Sequence, residues 1–216
     1  MKNRTVTLLL YAGTVDMGGI PVRQPFPTQR VEQIDPFLLL HHVDTSLPEH
    51  VLPEHAGVGP HPHRGFSPVT FVFKGGVHHR DSRGNNSIVY AGGAQWMNAG
   101  RGIVHSERPP HDIHQKGGRQ EMVQLWINTP AKSKMEQPEY FPVNPEQIPR
   151  YTTADGLADL SIIAGELFGL IGPVPTKTPV IAIGCSSMPE CTVALRAYGR
   201  PRKSVSVKTR VRPRSS

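Results

Sequence analysis

The chain has 216 residues, a formal net charge of +7 and 37% hydrophobic residues. This length suits one large domain or two small ones, and the composition is that of a globular protein rather than a disordered or membrane-spanning one. The 21 glycines and 22 prolines favour frequent turns over long helices. The early apolar stretch 6–12 is too short to span a membrane and precedes no small-x-small cleavage site, so we expect neither export nor a membrane partner.

Short apolar or alternating runs, separated by glycine, proline and asparagine, predict β-strands along the first 130 residues. In chain order these runs are TVTLLLYAG, IPVRQPFP, PFLLLHHV, VTFVFKGGVHHRD, NNSIVYAGG, AQWMNAG, GIVHSER and EMVQLWINT. Many short strands at this spacing are typical of a β-sandwich or a small barrel. We therefore predict an all-β fold, with a short helical turn at residues 145–148.

Beyond residue 130 the sequence divides into three parts. The proline-rich segment 131–159 predicts a connector, and residues 160–184 resume apolar, strand-like sequence. The segment 185–216 holds eight of the 24 lysines and arginines but one of the 17 acidic residues, which leaves residues 1–184 formally neutral. The basic tail is either a nucleic-acid-binding segment or a truncated or frame-shifted end. We favour the second reading, because no aromatic or helical pattern organises its arginines.

The only two cysteines are Cys185 and Cys191. Two cysteines make no disulfide framework, which fits a reducing compartment. We therefore expect a cytoplasmic protein, or a nuclear one if the source is eukaryotic.

Histidine is concentrated in one stretch, since all eleven lie between His41 and His114. His61 and His63 are separated by one residue at the start of a predicted strand, and His105 and Glu107 have the same spacing in another. Side chains at i and i+2 of a strand share a face, so on neighbouring strands these four residues would converge. Such a nitrogen and oxygen donor set suits Fe(II), Mn(II), Ni(II), Cu(II) or Zn(II).

The alternative is that these histidines are solvated or satisfied by ordinary hydrogen bonds, and the spacing alone does not decide between the two. For six of the other histidines we expect ordinary surface loop positions. They are His50, His55, His78, His79, His111 and His114.

Three stretches, PHPHRGF (60–66), QWMNAGRGIVHSE (95–107) and QLWIN (124–128), resemble the pirin family of the cupin superfamily. The resemblance runs from about residue 15 to 180. It implies a cupin jelly-roll β-barrel that is complete within residues 1–130, and a second barrel that begins in residues 160–184 and is only partial. It also implies one mononuclear metal site, Fe(II) first among the candidates, with His61, His63, His105 and Glu107 as the ligands.

Two functions follow from this resemblance. In the first, the protein resembles pirins that act as quercetin 2,3-dioxygenases, with a flavonol as the flat aromatic substrate and Glu107 as the catalytic base. In the second, it resembles a pirin that acts as an iron-dependent transcription co-regulator and binds a transcription factor without catalysis. Trp96, Met97 and Phe73 are expected to pack in the core rather than to line the pocket. The chain also has His41 and Ser67 where many pirins have acidic residues.

Overall fold

Apolar and polar residues alternate between glycine- and proline-rich turns, and this pattern produces a β protein. A computed structural model describes residues 8–52, 55–187, 190–197 and 204–210. Within them, one six-residue α-helix, α1 (His111–Lys116), accompanies short 3-10 helices at Ala131–Ser133 and Pro145–Gln147. The second of these confirms the predicted helical turn. No helix in the described ranges is long and apolar enough to cross a membrane.

Eleven strands form the first part of the molecule. They are β1 (Gly13–Asp16), β2 (Pro21–Phe26), β3 (Phe37–Leu47), β4 (Val58–His63), β5 (Phe66–Lys74), β6 (Gly76–Asp81), β7 (Asn86–Tyr90), β8 (Ala94–Asn98), β9 (Ile103–Arg108), β10 (Gly118–Asn128) and β11 (Glu139–Val143). One seven-stranded sheet has the order β1-β2-β3-β10-β5-β8-β11, and a four-stranded sheet has the order β4-β9-β6-β7. Consecutive strands such as β4 and β5 lie in different sheets, as in a jelly roll.

Seven further strands form a second, smaller unit. They are β12 (Arg150–Thr152), β13 (Asp159–Ala164), β14 (Glu166–Leu167), β15 (Leu170–Ile171), β16 (Val180–Ser187), β17 (Glu190–Ala197) and β18 (Ser204–Arg210). Five of them form a sheet in the order β12-β13-β16-β17-β18, and β14 pairs with β15 as a hairpin. Within the described residues this unit is a partial barrel beside the N-terminal jelly roll, and its strands run from residue 150 to 210 rather than beginning in 160–184.

The two units share one hydrophobic core. A single cluster of buried side chains includes Trp96 and Leu125 from the N-terminal sheets and Ile163 and Val180 from the C-terminal sheet. Apolar area is therefore removed from water on both sides of the contact, so each unit stabilises the other.

Secondary structure differs from the sequence-based expectation at the N-terminus and in the connector. Residues 8–12 of the first predicted strand form no strand, and β1 begins at Gly13; residues 5–7 lie outside the described residues. Leu8 and Leu9 are exposed and only Leu10 of this stretch packs against the core, so the stretch has no continuous buried face to hold it in a sheet. The segment predicted as a connector supplies β11, which pairs with β8 as the edge strand of the seven-stranded sheet.

The basic segment 185–216 also contains strands. β17 pairs with β16, and β18 pairs with β17 in antiparallel register. The sequence SVSVKTR of β18 alternates in the way a half-buried strand does, and Val205 is buried. The predicted strands do not include β18, because the arginines dominate the composition of this segment. The prediction that this segment is a truncated or frame-shifted end, rather than a nucleic-acid-binding tail, stays a prediction.

Candidate metal centre

The predicted ligands lie on two paired strands. β4 and β9 run antiparallel, with His61 opposite His105 and His63 opposite Ile103. Since side chains alternate along each strand, His61, His63, His105 and Glu107 project from the same face of the four-stranded sheet. This face looks toward the seven-stranded sheet. The predicted pairing of the two histidine motifs is therefore present.

A glycine allows the two strands to approach each other. Gly57, just before β4, has a φ of +71°, and a Cβ added there would lie 2.7 Å from the Cα of Arg108. Only glycine fits this left-handed conformation against the backbone of β9 without strain. The local sequence thus supports the close pairing that brings the histidines together.

The three imidazole rings form a compact group. One ring nitrogen from each of His61, His63 and His105 lies within 4.8 Å of the other two. The ring centroids of His61 and His105 are 4.4 Å apart, and those of His63 and His105 are 4.9 Å apart. Three nitrogens at this spacing can bind a single divalent ion.

Hydrogen bonding leaves two of these nitrogens available to a metal. His61 Nδ1 donates to the carbonyl oxygen of Gly59 at 2.8 Å, which leaves a lone pair on Nε2, 3.0 Å from His63 Nε2. His105 Nε2 is buried and has no hydrogen-bond partner within the described part of the chain. A buried nitrogen without a partner is costly, and a bound cation would satisfy it. The residues present therefore fit a divalent transition metal.

The histidines have the protonation state that a metal requires. Burial, reinforced by the neighbouring imidazoles of His105 and His61, lowers the pKa of His63 to about 3. Burial also lowers the pKa of His105 to about 3, with further contributions from His61 and His79. Both rings are thus neutral near pH 7, and neutral imidazole is the form that binds metal ions.

Glu107 lies beside the histidines but outside the three-nitrogen group. Its carboxylate accepts hydrogen bonds from Gln124 Nε2 at 2.8 Å, from Thr70 Oγ1 at 3.2 Å, and from Gln95 Nε2. These three donors lie side by side on β10, β5 and β8, because Gln124 is opposite Thr70 and Thr70 is opposite Gln95. We call them the polar row. None of its three members was predicted as a site residue from the sequence.

A cavity of about 560 Å³ opens over the site. Its walls include His61, His63, Glu107, Phe66 and Trp126. The aromatic rings of Phe66 and Trp126 lie 4.5 Å apart and each contacts the His63 ring. This volume is within the range of small-molecule sites, and mostly apolar walls with a few polar groups are typical of them.

Other aromatic and histidine predictions have mixed outcomes. Trp96 and Met97 are buried in hydrophobic clusters and Phe73 packs against one, which confirms core packing. The expectation of a surface position is wrong for two histidines: His79 is fully buried and His114 is 7% exposed. His79 lies on β6, between β7 and β9, where alternation turns every second side chain inward. The other four expected at the surface are exposed or partly exposed: His50, His55, His78 and His111.

Sequence comparison decides the family. The pirin family model matches residues 19–127. This chain is a pirin. Pirin-like protein 2 of Arabidopsis thaliana is 39% identical over 79% of this chain and 49% of its own length. A Pseudomonas aeruginosa protein, provisionally named quercetin 2,3-dioxygenase, is 41% identical over 75% of this chain and 57% of its own length. This pirin therefore spans about half the length of the curated relatives it matches.

Solved structures agree with this assignment. The crystal structure of a quercetin 2,3-dioxygenase from Acinetobacter baumannii is 30% identical, with a TM-score of 0.77 over 94% of this pirin and 78% of that chain. A bacterial pirin from Escherichia coli, in complex with nickel(II), is 20% identical with a TM-score of 0.61 over 85% and 71% of the two chains. The second likeness concerns the fold alone. Together with the sheet topology they confirm the predicted cupin jelly roll.

Proposed function

We propose that this pirin is a metal-dependent dioxygenase that opens the heterocyclic ring of a flavonol such as quercetin. The observation that carries this proposal is the convergence of three imidazoles beside a hydrogen-bonded carboxylate at the base of a cavity with aromatic walls. The names of the Pseudomonas and Acinetobacter relatives support the reaction and the substrate class.

His61, His63 and His105 would hold the metal. Nitrogen donors without a thiolate, next to a carboxylate, favour Fe(II) among the ions used for oxygen chemistry. When bound, Fe(II) supplies a Lewis acid for an oxygen ligand and a redox centre for dioxygen. The role of Glu107 as a fourth ligand stays a prediction, since its carboxylate is engaged by the polar row.

Glu107 would act as the catalytic base. Its carboxylate lines the cavity, and the hydrogen bonds from Gln124, Thr70 and Gln95 hold it in one orientation. A carboxylate fixed in this way can take the proton from the substrate hydroxyl group. The polar row thereby positions the base.

The cavity walls fit a flat aromatic substrate. The rings of Phe66 and Trp126 pack against each other, with centroids 4.5 Å apart and planes tilted by 31°, and together they form an apolar wall of the cavity. Such a surface favours stacking of a planar ring system and keeps water away from the reacting atoms. This arrangement supports a flavonol more than a flexible or highly charged substrate.

The test replaces Glu107 with glutamine, which keeps the shape but removes the charge and most of the basicity. In protein loaded with Fe(II) under air, we expect turnover of quercetin to fall ~100- to 10,000-fold in Glu107→Gln, as for other lost general bases. Metal content, measured by elemental analysis, should stay close to that of the unaltered protein. Glu32→Gln, at an exposed glutamate, is the matched control and should leave both quantities unchanged.

Two results would contradict the proposal. One is quercetin turnover that persists after complete removal of the metal by a chelator. The other is full turnover in the Glu107→Gln protein. Stoichiometric metal binding without turnover of any flavonol would instead favour the non-enzymatic, iron-dependent co-regulator.

A further inference from the structure

A buried histidine connects the metal centre to a buried carboxylate. His79 Nδ1 lies 3.2 Å from His105 Nδ1, and His79 Nε2 lies 3.0 Å from Asp81 Oδ2. The side chains of His79 and Asp81 have no exposed surface. Both residues lie on β6, in register with β9: His79 is opposite Glu107 and Asp81 is opposite His105. The three side chains form a chain of contacts, Asp81–His79–His105.

The turn that follows β6 fixes Asp81, which is the first residue in this series of contacts. Asp81 Oδ1 accepts the backbone N–H groups of Arg83 and Asn85, and Asp81 Oδ2 accepts the side-chain amide of Asn85 at 2.7 Å. The carboxylate has only acceptor sites when it is ionised, so the 3.0 Å contact requires a proton on His79 Nε2. A neutral His79 then has a lone pair on Nδ1.

This assignment determines the tautomer of the next ring. Because His79 Nδ1 can only accept, the 3.2 Å contact requires His105 Nδ1 to carry the proton and to donate it. The lone pair of a neutral His105 then lies on Nε2, which is the buried nitrogen without a partner in the described residues. The nitrogen freed by the hydrogen bonds is therefore the nitrogen that a metal would use.

Tyr140 holds the connecting ring in place. Its ring stacks on the His79 ring with a centroid distance of 3.7 Å and an angle of 7° between the planes. The Tyr140 hydroxyl donates to Gln95 Oε1 at 3.0 Å and also contacts the Ser87 hydroxyl. The stacked ring therefore cannot turn easily, and both nitrogens of His79 keep their partners.

We infer that His79 and Asp81 are positioning residues that set the Nδ1–H tautomer of His105 and so present its Nε2 lone pair to the metal. Metal-binding histidines usually donate their other N–H to a carboxylate or a carbonyl. Here a second imidazole relays the effect of the carboxylate to the ligand. The inference rests on the metal-binding part of the proposed function, but not on the substrate or on the dioxygenase reaction.

The first test reads the tautomers directly, in metal-free protein labelled with 15N. Long-range 1H–15N correlation spectra distinguish Nδ1–H from Nε2–H imidazoles, and the His105 signals are identified by their loss in a His105→Gln variant. We expect Nδ1–H for His105 and Nε2–H for His79. An Nε2–H tautomer at His105, or a doubly protonated His79 near pH 7, would overturn the inference.

The second test measures affinity for Co(II), an air-stable probe whose visible spectrum reports its ligands. His79→Phe keeps a ring that can stack on Tyr140 but removes both nitrogens, and we expect it to weaken Co(II) binding about 10- to 100-fold. His79→Asn keeps an acceptor near the position of Nδ1 and should recover part of this loss. His78→Phe makes the same change at the partly exposed neighbour on β6 and should leave the affinity within about two-fold of the original.

Circular dichroism establishes whether each variant folds. If His79→Phe does not fold, the tautomers of the unaltered protein and the affinity of His79→Asn decide the question. Co(II) affinity unchanged in a folded His79→Phe protein would overturn the inference. A protein with the expected tautomers but no quercetin turnover would contradict the proposed reaction while leaving the role of His79 and Asp81 intact.

Discussion

His63 and His105 show how burial, together with neighbouring imidazoles, prepares residues for metal binding. Both rings lie inside the jelly roll, where the charged form of imidazole loses its hydration, so each pKa falls to about 3. In the unfolded chain the same groups titrate near 6.5. Folding therefore makes these side chains neutral donors over the whole physiological pH range, before any ion arrives.

This difference predicts the pH dependence of stability in the metal-free protein. Between pH 6.5 and about 3 the unfolded chain binds more protons at His63 and His105 than the native protein does. The free energy of unfolding should consequently decrease as the pH falls through this window, by up to about 1.4 kcal/mol per pH unit for each histidine. Urea denaturation at a series of pH values, with a chelator present, measures the slope.

The matched variant for this measurement replaces both histidines with glutamine. It retains every carboxylate that titrates in the same range, so the difference between the two curves isolates the histidines. A slope identical to that of the unaltered protein would show that the two rings do not carry the pH dependence.

Among the secondary structure elements, the neighbouring strands β10, β5 and β8 create the polar row. Their register places Gln124, Thr70 and Gln95 abreast. Gln124 and Gln95 also donate to Thr70 Oγ1, at 3.2 and 3.4 Å. A buried polar group is tolerated only when it is hydrogen-bonded, and these three satisfy one another and Glu107 together.

Removing one member of the row should weaken the support of Glu107. Gln124→Leu keeps a similar volume but deletes the 2.8 Å hydrogen bond to Glu107 Oε2. We expect the free energy of unfolding to decrease by about 1.5–3 kcal/mol, the usual contribution of a hydrogen bond to a charged group. Quercetin turnover should decrease, while metal content stays unchanged, since the hydrogen bonds of Gln124 in the described structure go to Thr70, Glu107 and Trp126 rather than to the three histidines.

Gln115→Leu, at an exposed glutamine on α1, is the corresponding control and should have little effect on either quantity. Urea denaturation and a quercetin assay under air provide the two measurements. If Gln124→Leu and the control have equal stability and equal turnover, the polar row does not support Glu107.

For the molecule as a whole, the shared core couples the partial C-terminal barrel to the metal site. Ile163 is 2% exposed and belongs to the same cluster as Trp96 and Leu125. At the surface of this contact, Lys177 Nζ forms ion pairs of 2.8 Å with Glu136 and Glu139. The apolar contact contributes most of the coupling, because partly exposed ion pairs are weak in water.

We therefore predict that the two units unfold together. Ile163→Ala should lower the free energy of unfolding by about 2–5 kcal/mol, as for other large-to-small changes in a core. Both tryptophans, Trp96 and Trp126, lie in the N-terminal sheets, so tryptophan fluorescence reports on the unit that does not contain the substitution. The fluorescence transition should shift by the same amount as the transition in circular dichroism.

Ile171→Ala removes the same atoms from a side chain that is 69% exposed, and should change stability only slightly. If Ile163→Ala shifts the circular dichroism transition but leaves tryptophan fluorescence where it was, the units are independent. That result would contradict the shared core.

Much of this pirin follows from local sequence. Alternating apolar residues between glycine and proline turns predict the strands, and the period of two places His61 with His63 and His105 with Glu107 on common faces. The spacing of these pairs, together with the pirin motifs, predicts the histidine group. The placement of each pair on a common face depends only on the direction of neighbouring side chains within one strand, whereas the convergence of the two pairs depends on the pairing of β4 with β9.

Tertiary structure alone decided the surroundings of the site. The polar row and the contact of Asp81 and His79 with His105 depend on which strands pair and in what register, and these strands are distant in the chain. The sequence around His79 does not distinguish a buried position from an exposed one. In residues 185–216 the many arginines make the composition unlike that of strands, although β17 and β18 lie there. A buried polar side chain and a solvated one have the same letter in the sequence, and only the packing of other strands over it distinguishes them.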